Sequence, residues 1–459
     1  MTDVQQETAI RDERGAIDAA FIEQVTAALR AADGKVIRGL TRDLHAADLA
    51  DLIESLDQPD RVALITALGR GFDVEALAEL DETVRDELMK ALPNEVIASA
   101  IKKLDTDDAL YLIEDLAESE QQDILAKVPE QDRAVLSRGL DYPEETAGRL
   151  MQTEFVAVPE FWSIGKTIDH MRGEKGIPEN FAEIYVIDPG FHLKGFVPLS
   201  RLLRAPRDKK IASVMDEEQT IFKVTDEQNE VAYKFKQYNL VSAAVTDEAG
   251  RLVGMLMVDD IVDVIQEEAE EDILHLGGVG DETISDTVAA ATRSRFTWLF
   301  VNLLTAILAS WVISWFDATI EQMVALAILM PIVASMGGNA GTQTMTVAVR
   351  ALATRNLGRL NAVRVGLREC SVGLINGVLF AIIVGLFSWW WFGSDRLGLV
   401  IAAAMVINLM AAALAGILVP LALDHFDIDP AIASGTFVTT VTDVVGFFAF
   451  LGLASLWLV

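Results

Sequence analysis

Apolar residues are spaced along this chain in three different ways, each predicting a different kind of structure. Between about residues 18 and 140 they recur with a period of 24, in a column made of Leu56, Leu80, Leu104 and Val128. Columns eight and twelve positions later hold Leu64, Leu88, Leu112, Leu136 and Leu68, Leu92, Leu116, Leu140; one three positions earlier holds Ile53, Leu77, Ile101, Leu125. Offsets of 3, 4 and 8 lie on one face of an α-helix, and an Asp after the anchor in three copies (Asp57, Asp81, Asp105) suits a helix start. Arg61, Arg85 and Arg133 recur five positions after the anchor, and a partial earlier copy ends with Asp33, Leu40 and Leu44. Two short helices per repeat, stacked on their neighbours, predict a small all-α superhelical scaffold whose exposed acids are its chemistry.

The second pattern alternates and occurs twice. Phe155–Val158 and Ile184–Asp188 flank a helical stretch near Ile164–Met171; Ile221–Val224 and Ala243–Asp247 flank another over Val231–Tyr238. Asp188 and Asp247, Gly195 and Gly254, Ser200 and Asp259 are each 59 apart, with about five extra residues near Gly173–Phe181 in the first copy. Strand, Gly-containing turn, strand and then a helix is the order in both, with Ser200 and Asp259 expected as N-caps. This tandem α/β unit resembles a pair of CBS domains over roughly residues 142–265. Such modules sense ligands, many of them adenine nucleotides. The basic stretch Arg201, Arg204, Arg207, Lys209, Lys210 reads either as a phosphate partner or as an exposed linker.

The third pattern is five long apolar runs: about Phe296–Phe316, Met323–Thr346, Cys370–Phe392, Leu397–Leu423 and Ile432–Val459, each long enough to cross a bilayer as a helix. Arg293 and Arg295 precede the first; Arg350, Arg355, Arg359, Arg364 and Arg368 fill the link between the second and third. Both sites share one side if all five runs span, and the positive-inside rule makes that side the cytoplasm, with the C-terminus outside. The loop carrying Asp424, His425, Asp427 and Asp429 holds no Lys or Arg and does not bear on orientation.

Charge sharpens the division. The formal net charge is −32 over 459 residues, yet from Arg293 onward there are eight basic and eight acidic residues, so the excess lies entirely before it. An acidic part of this density repels nucleic acid and attracts cations, or serves solubility alone. A single cysteine, Cys370, excludes an intramolecular disulfide, and the polar, acidic beginning of the chain shows no signal-peptide pattern, which places the soluble part in the cytoplasm.

Two features carry candidate chemistry. Asp259, Asp260, Asp263, Glu267, Glu268, Glu270, Glu271 and Asp272 fall within fourteen residues without a Lys or Arg, directly before the first apolar run. On a helix, Asp260 and Asp263 share a face, as do Glu268, Glu271 and Asp272; such like charges repel, and carboxylate oxygens are the ligands that Mg²⁺ and Ca²⁺ accept. The other feature is Asp443, deep in the fifth run among Thr439, Thr440 and Thr442. A carboxylate at that depth marks a wet path or a partner, and no Lys or Arg lies within a run to pair with it. Two copies facing across a dimer axis would make a ring of charge. The second run adds Gly337-Gly338-Asn339-Ala340-Gly341-Thr342-Gln343-Thr344, whose glycines permit close packing or a local break.

The Gly-Gly-Asn-x-Gly-x-Gln motif, the Thr-x-x-Asp-Val-x-Gly motif (Thr440, Asp443, Val444, Gly446) and the order of parts resemble the MgtE family of magnesium transporters over nearly the whole chain. The resemblance implies a multidomain membrane protein: a superhelical domain at 1–141, CBS domains at 142–205 and 206–264, an acidic connecting helix at 265–292 and a five-helix pore domain at 293–459. It implies a homodimer in the bacterial inner membrane, importing Mg²⁺ and shut by cytoplasmic Mg²⁺, with ATP a candidate ligand of the CBS pair. The residue matching Asp443 would bind hydrated Mg²⁺ in the pore, helped by the backbone carbonyl of Thr439. Regulatory acids map onto Asp260, Asp263, Glu268, Glu271 and Asp272, and also onto Glu227 and Glu230. Where some relatives carry Asn near the pore mouth this chain has Gly435 followed by Thr436, so finer selectivity does not carry over.

Rival readings fit less of the chain. A CBS-bearing chloride channel needs roughly twice as many spans and no central Asp. An intramembrane metalloprotease needs His-Glu-x-x-His, and the histidines (His45, His170, His192, His275, His425) are scattered. A non-transporting Mg²⁺ sensor leaves Asp443 unused. A transporter of the same build preferring Co²⁺ or another divalent cation stays open.

Overall fold

The 24-residue columns close into one core. Ile53, Leu64, Leu77, Leu88, Ile101, Leu112, Leu125 and Leu136 are all buried together. Helices Gln58–Leu68, Glu82–Ala91 and Thr106–Tyr111 each start directly after an anchor Asp, and the Asp81 carboxylate accepts from the Thr83 N–H at 3.0 Å. Their partners are Asn94–Ile101 and Glu118–Leu125; in the first full copy the second helix shrinks to a 3₁₀ turn, Val74–Leu77, after Gly69 turns the chain at φ 53°. The recurrent arginines do two jobs. Arg61 donates to the carbonyls of Ile53, Glu54 and Leu56, satisfying the open end of the helix before it. Arg85 is buried, pairs with Asp115 and lies 3.8 Å from the centre of the Tyr111 ring.

The structure is a computed structural model describing residues 10–174, 176–178, 180–217, 220–279, 288–355, 357, 361–426 and 428–458. Arg359 and Asp427 lie outside the described residues, as do Lys175 and Glu179 of the extra stretch in the first alternating copy.

The alternating copies form two equivalent three-stranded sheets. Ala157–Pro159 runs parallel to Glu183–Ile187, which runs antiparallel to Leu193–Pro198; Ile221–Lys223, Ser242–Thr246 and Leu252–Met257 repeat the order. The 59-residue correspondences now have causes. Asp188 accepts from the N–H groups of Gly190 and His192, and Asp247 from those of Ala249 and Arg251, so each folds the turn between its antiparallel strands. A Cβ at Gly195 would collide with the Asp216 carbonyl, and one at Gly254 would lie 2.8 Å from the Gln152 carbonyl, because the segment leading into each copy crosses the last strand of the other there. One expectation is corrected: the helices are Leu199–Arg204, capped by Pro198, and Val258–Gly277, so Ser200 and Asp259 stand inside the first turn. The strands run straight into these helices, and Asp259 meets the exposed N–H groups from within rather than from the cap.

Among the described residues, five helices are long and apolar enough to span a bilayer. They are Val288–Ser314, Ala325–Ala353, Ala362–Phe392, Asp395–His425 and Pro430–Trp457, referred to below as spans 1 to 5. The chain forms two compact units, Met1–Gln266 and Glu267–Val459. In the second, span 4 is the most enclosed; spans 2, 3 and 5 all pack on it.

Candidate functional site

Span 5 has two unlike faces. Ser434, Val438, Thr442, Gly446 and Phe450, four residues apart, are buried against neighbouring spans. One step round the helix, Thr439 is exposed and Asp443 half-buried, one turn apart on a single face of the protomer. The threonine hydroxyls are mostly tied back to their own helix: Thr439 to the Gly435 carbonyl at 2.9 Å, Thr440 to that of Thr436 at 2.6 Å. The Thr439 carbonyl itself accepts the Thr442 hydroxyl at 2.9 Å. Near the start of span 5, Thr436 donates to the Asn302 side chain of span 1 at 3.1 Å.

Span 2 supplies a second polar face. Ser335, Asn339, Gln343 and Thr346 are exposed and share one side of that helix. Its glycines serve close packing rather than a break, since the helix runs unbroken from Ala325 to Ala353. A Cβ at Gly341 would lie 2.6 Å from Val438, and one at Gly337 would collide with Asn408 of span 4. The amide-and-hydroxyl face of span 2 and the Asp443 face of span 5 are thereby held by glycine contacts made behind them.

The acidic helix Val258–Gly277 meets carboxylates at both ends. Within the first unit, Asp260 is packed beside Asp107 and Asp108, which open the helix Thr106–Tyr111. Burial pushes Asp260 up to about 7, with Asp259 and Asp108 adding repulsion and the Met257 N–H and Asp107 pulling back. Asp108 is pushed up to about 6 by burial and then by Asp105, and Asp107 is raised well above its ordinary range by burial and then by Asp260. Burial, then Asp259, raises Asp263, and Glu79 feels Asp263 in turn. Asp107 and Asp108 were not singled out from the sequence, though a signal was there. Of the four repeat copies, the one with Asp107 and Asp108 has Ala109 where the others have Arg61, Arg85 and Arg133.

At its other end, within the second unit, His275 reaches Asp429 at 3.1 Å and Glu271 at 3.7 Å. Burial, then Asp429, raises Asp272, with His275 opposing. Asp429 is also the N-cap of span 5, accepting from the Ala431 N–H at 2.8 Å. Glu268 lies on the same helix one turn before Asp272. Glu227 and Glu230 stand on a different helix: Glu227 caps Gln228–Tyr238, and Glu230 pairs with Lys234 at 2.8 Å. Of the basic stretch, Arg201 pairs with Asp216 and Arg207 with Asp169.

Among the described residues, no three His, Cys, Asp or Glu side chains converge as a finished metal site. The Asp107–Asp108–Asp260 cluster nonetheless fits a hard cation. Its donors are carboxylate oxygens, each carboxyl is held above its ordinary range, and the buried Asp260 Oδ2 has no hydrogen-bond partner among the described residues. A cation that keeps part of its water shell needs fewer direct protein ligands than a fully dehydrated one.

The linkage sign gives a first expectation. These carboxyls bind protons more readily folded than unfolded, so their contribution favours the metal-free fold at low pH and is lost as pH rises through about 6 to 7. In chelator, the melting temperature of the protein is expected to fall from about pH 5.5 to about pH 8, with Mg²⁺ restoring more at the higher pH. Thermal melts with and without Mg²⁺ check this, and Asp260→Asn is expected to flatten both dependences. An equal Mg²⁺ effect at the two pH values would count against metal binding at this cluster.

Known proteins match along the whole arrangement. Residues 330–453 match the family model MgtE, described as a divalent cation transporter; 44–145 match the MgtE intracellular N domain; 211–267 match a CBS domain. The magnesium transporter MgtE of Thermus thermophilus is 31% identical over 438 residues, covering 94% of this chain and 97% of that one. That of Bacillus subtilis is 27% identical over 426 residues, covering 92% and 94%. Among solved structures, the cytosolic domain of the Mg²⁺ channel MgtE in complex with ATP matches with a TM-score of 0.50 at 28% identity, covering 53% of this chain and 99% of that one.

Proposed function

The chain belongs to the MgtE family, whose members are transporters rather than enzymes, and from that premise we propose that it carries Mg²⁺ into the cell across the bacterial inner membrane. The observation that carries the reading is Asp443, a carboxylate midway along an apolar span, half-exposed on the face it shares with Thr439. Mg²⁺ sheds water reluctantly, so a pore that holds the hydrated ion by a carboxylate and by hydrogen-bond acceptors avoids most of the dehydration cost. Asp443 supplies the attraction and Thr439 a polar surface for the water shell. A second copy of the chain, facing the first across Asp443, would double the charge at no cost in sequence. A membrane potential of about 100 mV then drives inward movement with roughly 4 to 5 kcal/mol per divalent ion.

Regulation is read from the two ends of the acidic helix. Asp107, Asp108, Asp260 and Asp263 would hold a regulatory Mg²⁺, which supplies countercharge to groups that otherwise repel. Glu268, Glu271 and Asp272 extend the same chemistry toward Asp429, directly before span 5. Glu227 and Glu230 are further candidates on the second CBS copy. The His275–Asp429 contact supports a cytoplasmic loop between spans 4 and 5, and hence an external C-terminus. ATP is proposed as a ligand of the CBS pair, supported by the ATP-bound relative; ion pairs already engage Arg201 and Arg207, leaving Arg204, Lys209 and Lys210 as the candidates for phosphate.

The test is uptake into proteoliposomes of the full chain, with internal Mg²⁺ low and then high. Mg²⁺ uptake that falls when internal Mg²⁺ is raised is expected. A second reading, a transporter of the same build for Co²⁺, draws on the broader description of the matched family model and on Gly435. Co²⁺ uptake that exceeds Mg²⁺ uptake at equal concentration would replace the first reading by the second.

A further inference from the structure

Asn408 lies midway along span 4 and is fully buried. Its Nδ2 donates to the Val333 carbonyl of span 2 at 2.8 Å, while its Oδ1 has no protein hydrogen-bond partner among the described residues. Burying an amide with one end unsatisfied is costly, and an apolar side chain such as leucine, branched at the same carbon, would avoid the cost. The carboxamide must therefore provide something that shape alone does not.

Two glycines show what that is. A Cβ at Gly337 would collide with the Asn408 amide; one at Gly446 would lie 2.7 Å from its Nδ2 and 2.9 Å from its Cγ. Gly337 belongs to the Gly-Gly-Asn motif of span 2, and Gly446 ends the Thr-x-x-Asp-Val-x-Gly motif of span 5, three residues after Asp443. The two motifs thus meet at one side chain from a third span that belongs to neither of them. Resting on the transport reading above, we propose that Asn408 is a positioning residue for the pore. Its amide, seated in a slot between Gly337 and Gly446 and anchored to Val333, fixes the height and rotation at which span 5 presents Asp443. Gly337 and Gly446 are glycines because the slot admits no Cβ. Asn408 does not touch the ion; it sets where the carboxylate stands.

The test compares wild type, Asn408→Leu, Gly446→Ala and the double variant Asn408→Ala/Gly446→Ala in proteoliposomes, with Asp443→Ala as the zero. Uptake is followed against external Mg²⁺, and thermal unfolding in detergent reports folding. Losing one hydrogen bond from the positioning contact is expected to raise the half-saturating Mg²⁺ for Asn408→Leu about five-fold, more than the maximal rate falls. Gly446→Ala is expected to be impaired, and the double variant to recover part of its uptake, because truncating the amide makes room for the new Cβ. Half-saturation unchanged in Asn408→Leu overturns the proposal. Where Asn408→Leu fails to fold, Gly446→Ala decides: equal impairment with and without Asn408→Ala overturns the slot. If wild type takes up no Mg²⁺, the transport reading falls as well; if wild type transports and these variants match it, only the positioning role falls.

Discussion

Replacing Asp443 by Ala or Asn is expected to abolish Mg²⁺ uptake, by two orders of magnitude or more. Asn keeps the size and the hydrogen-bonding capacity of the side chain and removes only the charge, so it separates attraction from shape. At an effective dielectric of about 20 and a separation of about 5 Å, one carboxylate and a divalent ion attract by roughly 6 to 7 kcal/mol before desolvation is counted. A tenfold change corresponds to about 1.4 kcal/mol, so less than half of that attraction suffices for a hundred-fold loss. The exposed polar side chains named above offer no replacement: Thr439 on the same face, and Ser335, Asn339, Gln343 and Thr346 on the polar stripe of span 2, are all uncharged. Radiotracer or fluorescent-indicator uptake at low internal Mg²⁺ measures the effect. Uptake by Asp443→Asn within a few-fold of wild type would remove Asp443 from the path and leave the family's transport chemistry without its carboxylate in this chain.

The ease with which these parts could be read from the sequence follows from what enforces each. The column Leu64, Leu88, Leu112, Leu136 was readable because burial demands an apolar residue at every turn of a stacked repeat, and repetition displays that demand four times over. Gly195 and Gly254 were readable as a pair for the same reason, although the carbonyls they accommodate, of Asp216 and Gln152, could not be inferred from spacing. Span number followed from length and apolarity alone. The site residues divide differently. Asp443 stood out because a carboxylate is rare in such a setting, whereas Asn408, though fully buried, reads on paper as one polar residue in a long apolar run; only its two glycine walls reveal it. Asp107 and Asp108 were hidden among 69 acidic residues, where an acid carries little information unless its neighbours are known. The expected caps Ser200 and Asp259 failed by two residues, the scale on which helix starts depend on how the preceding strand delivers the chain.

Neutralising the cytoplasmic cluster is expected to cost the protein its response to internal Mg²⁺. With Asp107→Asn, Asp108→Asn, Asp260→Asn and Asp263→Asn combined, raising internal Mg²⁺ should change uptake by less than about two-fold, against tenfold or more in wild type. The substitution acts twice, and the two actions agree on this outcome. It removes the oxygens that would bind the cation, so Mg²⁺ loses its preference for the docked arrangement, the one in which Asp260 lies beside Asp107 and Asp108. It also removes the repulsion that Mg²⁺ would relieve, because the wild-type carboxyls that titrate near 6 to 7 are substantially ionised at neutral pH and crowd one another. The docked arrangement therefore becomes more stable without metal and gains nothing from it, since a ligand shifts an equilibrium only by its differential affinity for the two states. Two measurements separate these actions. In chelator, the melting temperature of the quadruple variant should exceed that of wild type by several degrees, as expected from relieving about 1 to 3 kcal/mol of repulsion. Addition of Mg²⁺ should then leave the variant's melting temperature unmoved while raising that of wild type. A variant that still slows uptake as internal Mg²⁺ rises would place the sensor elsewhere, with Asp272, which feels Asp429 before span 5, and Glu268 and Glu271 on the same helix as the next carboxylates to replace.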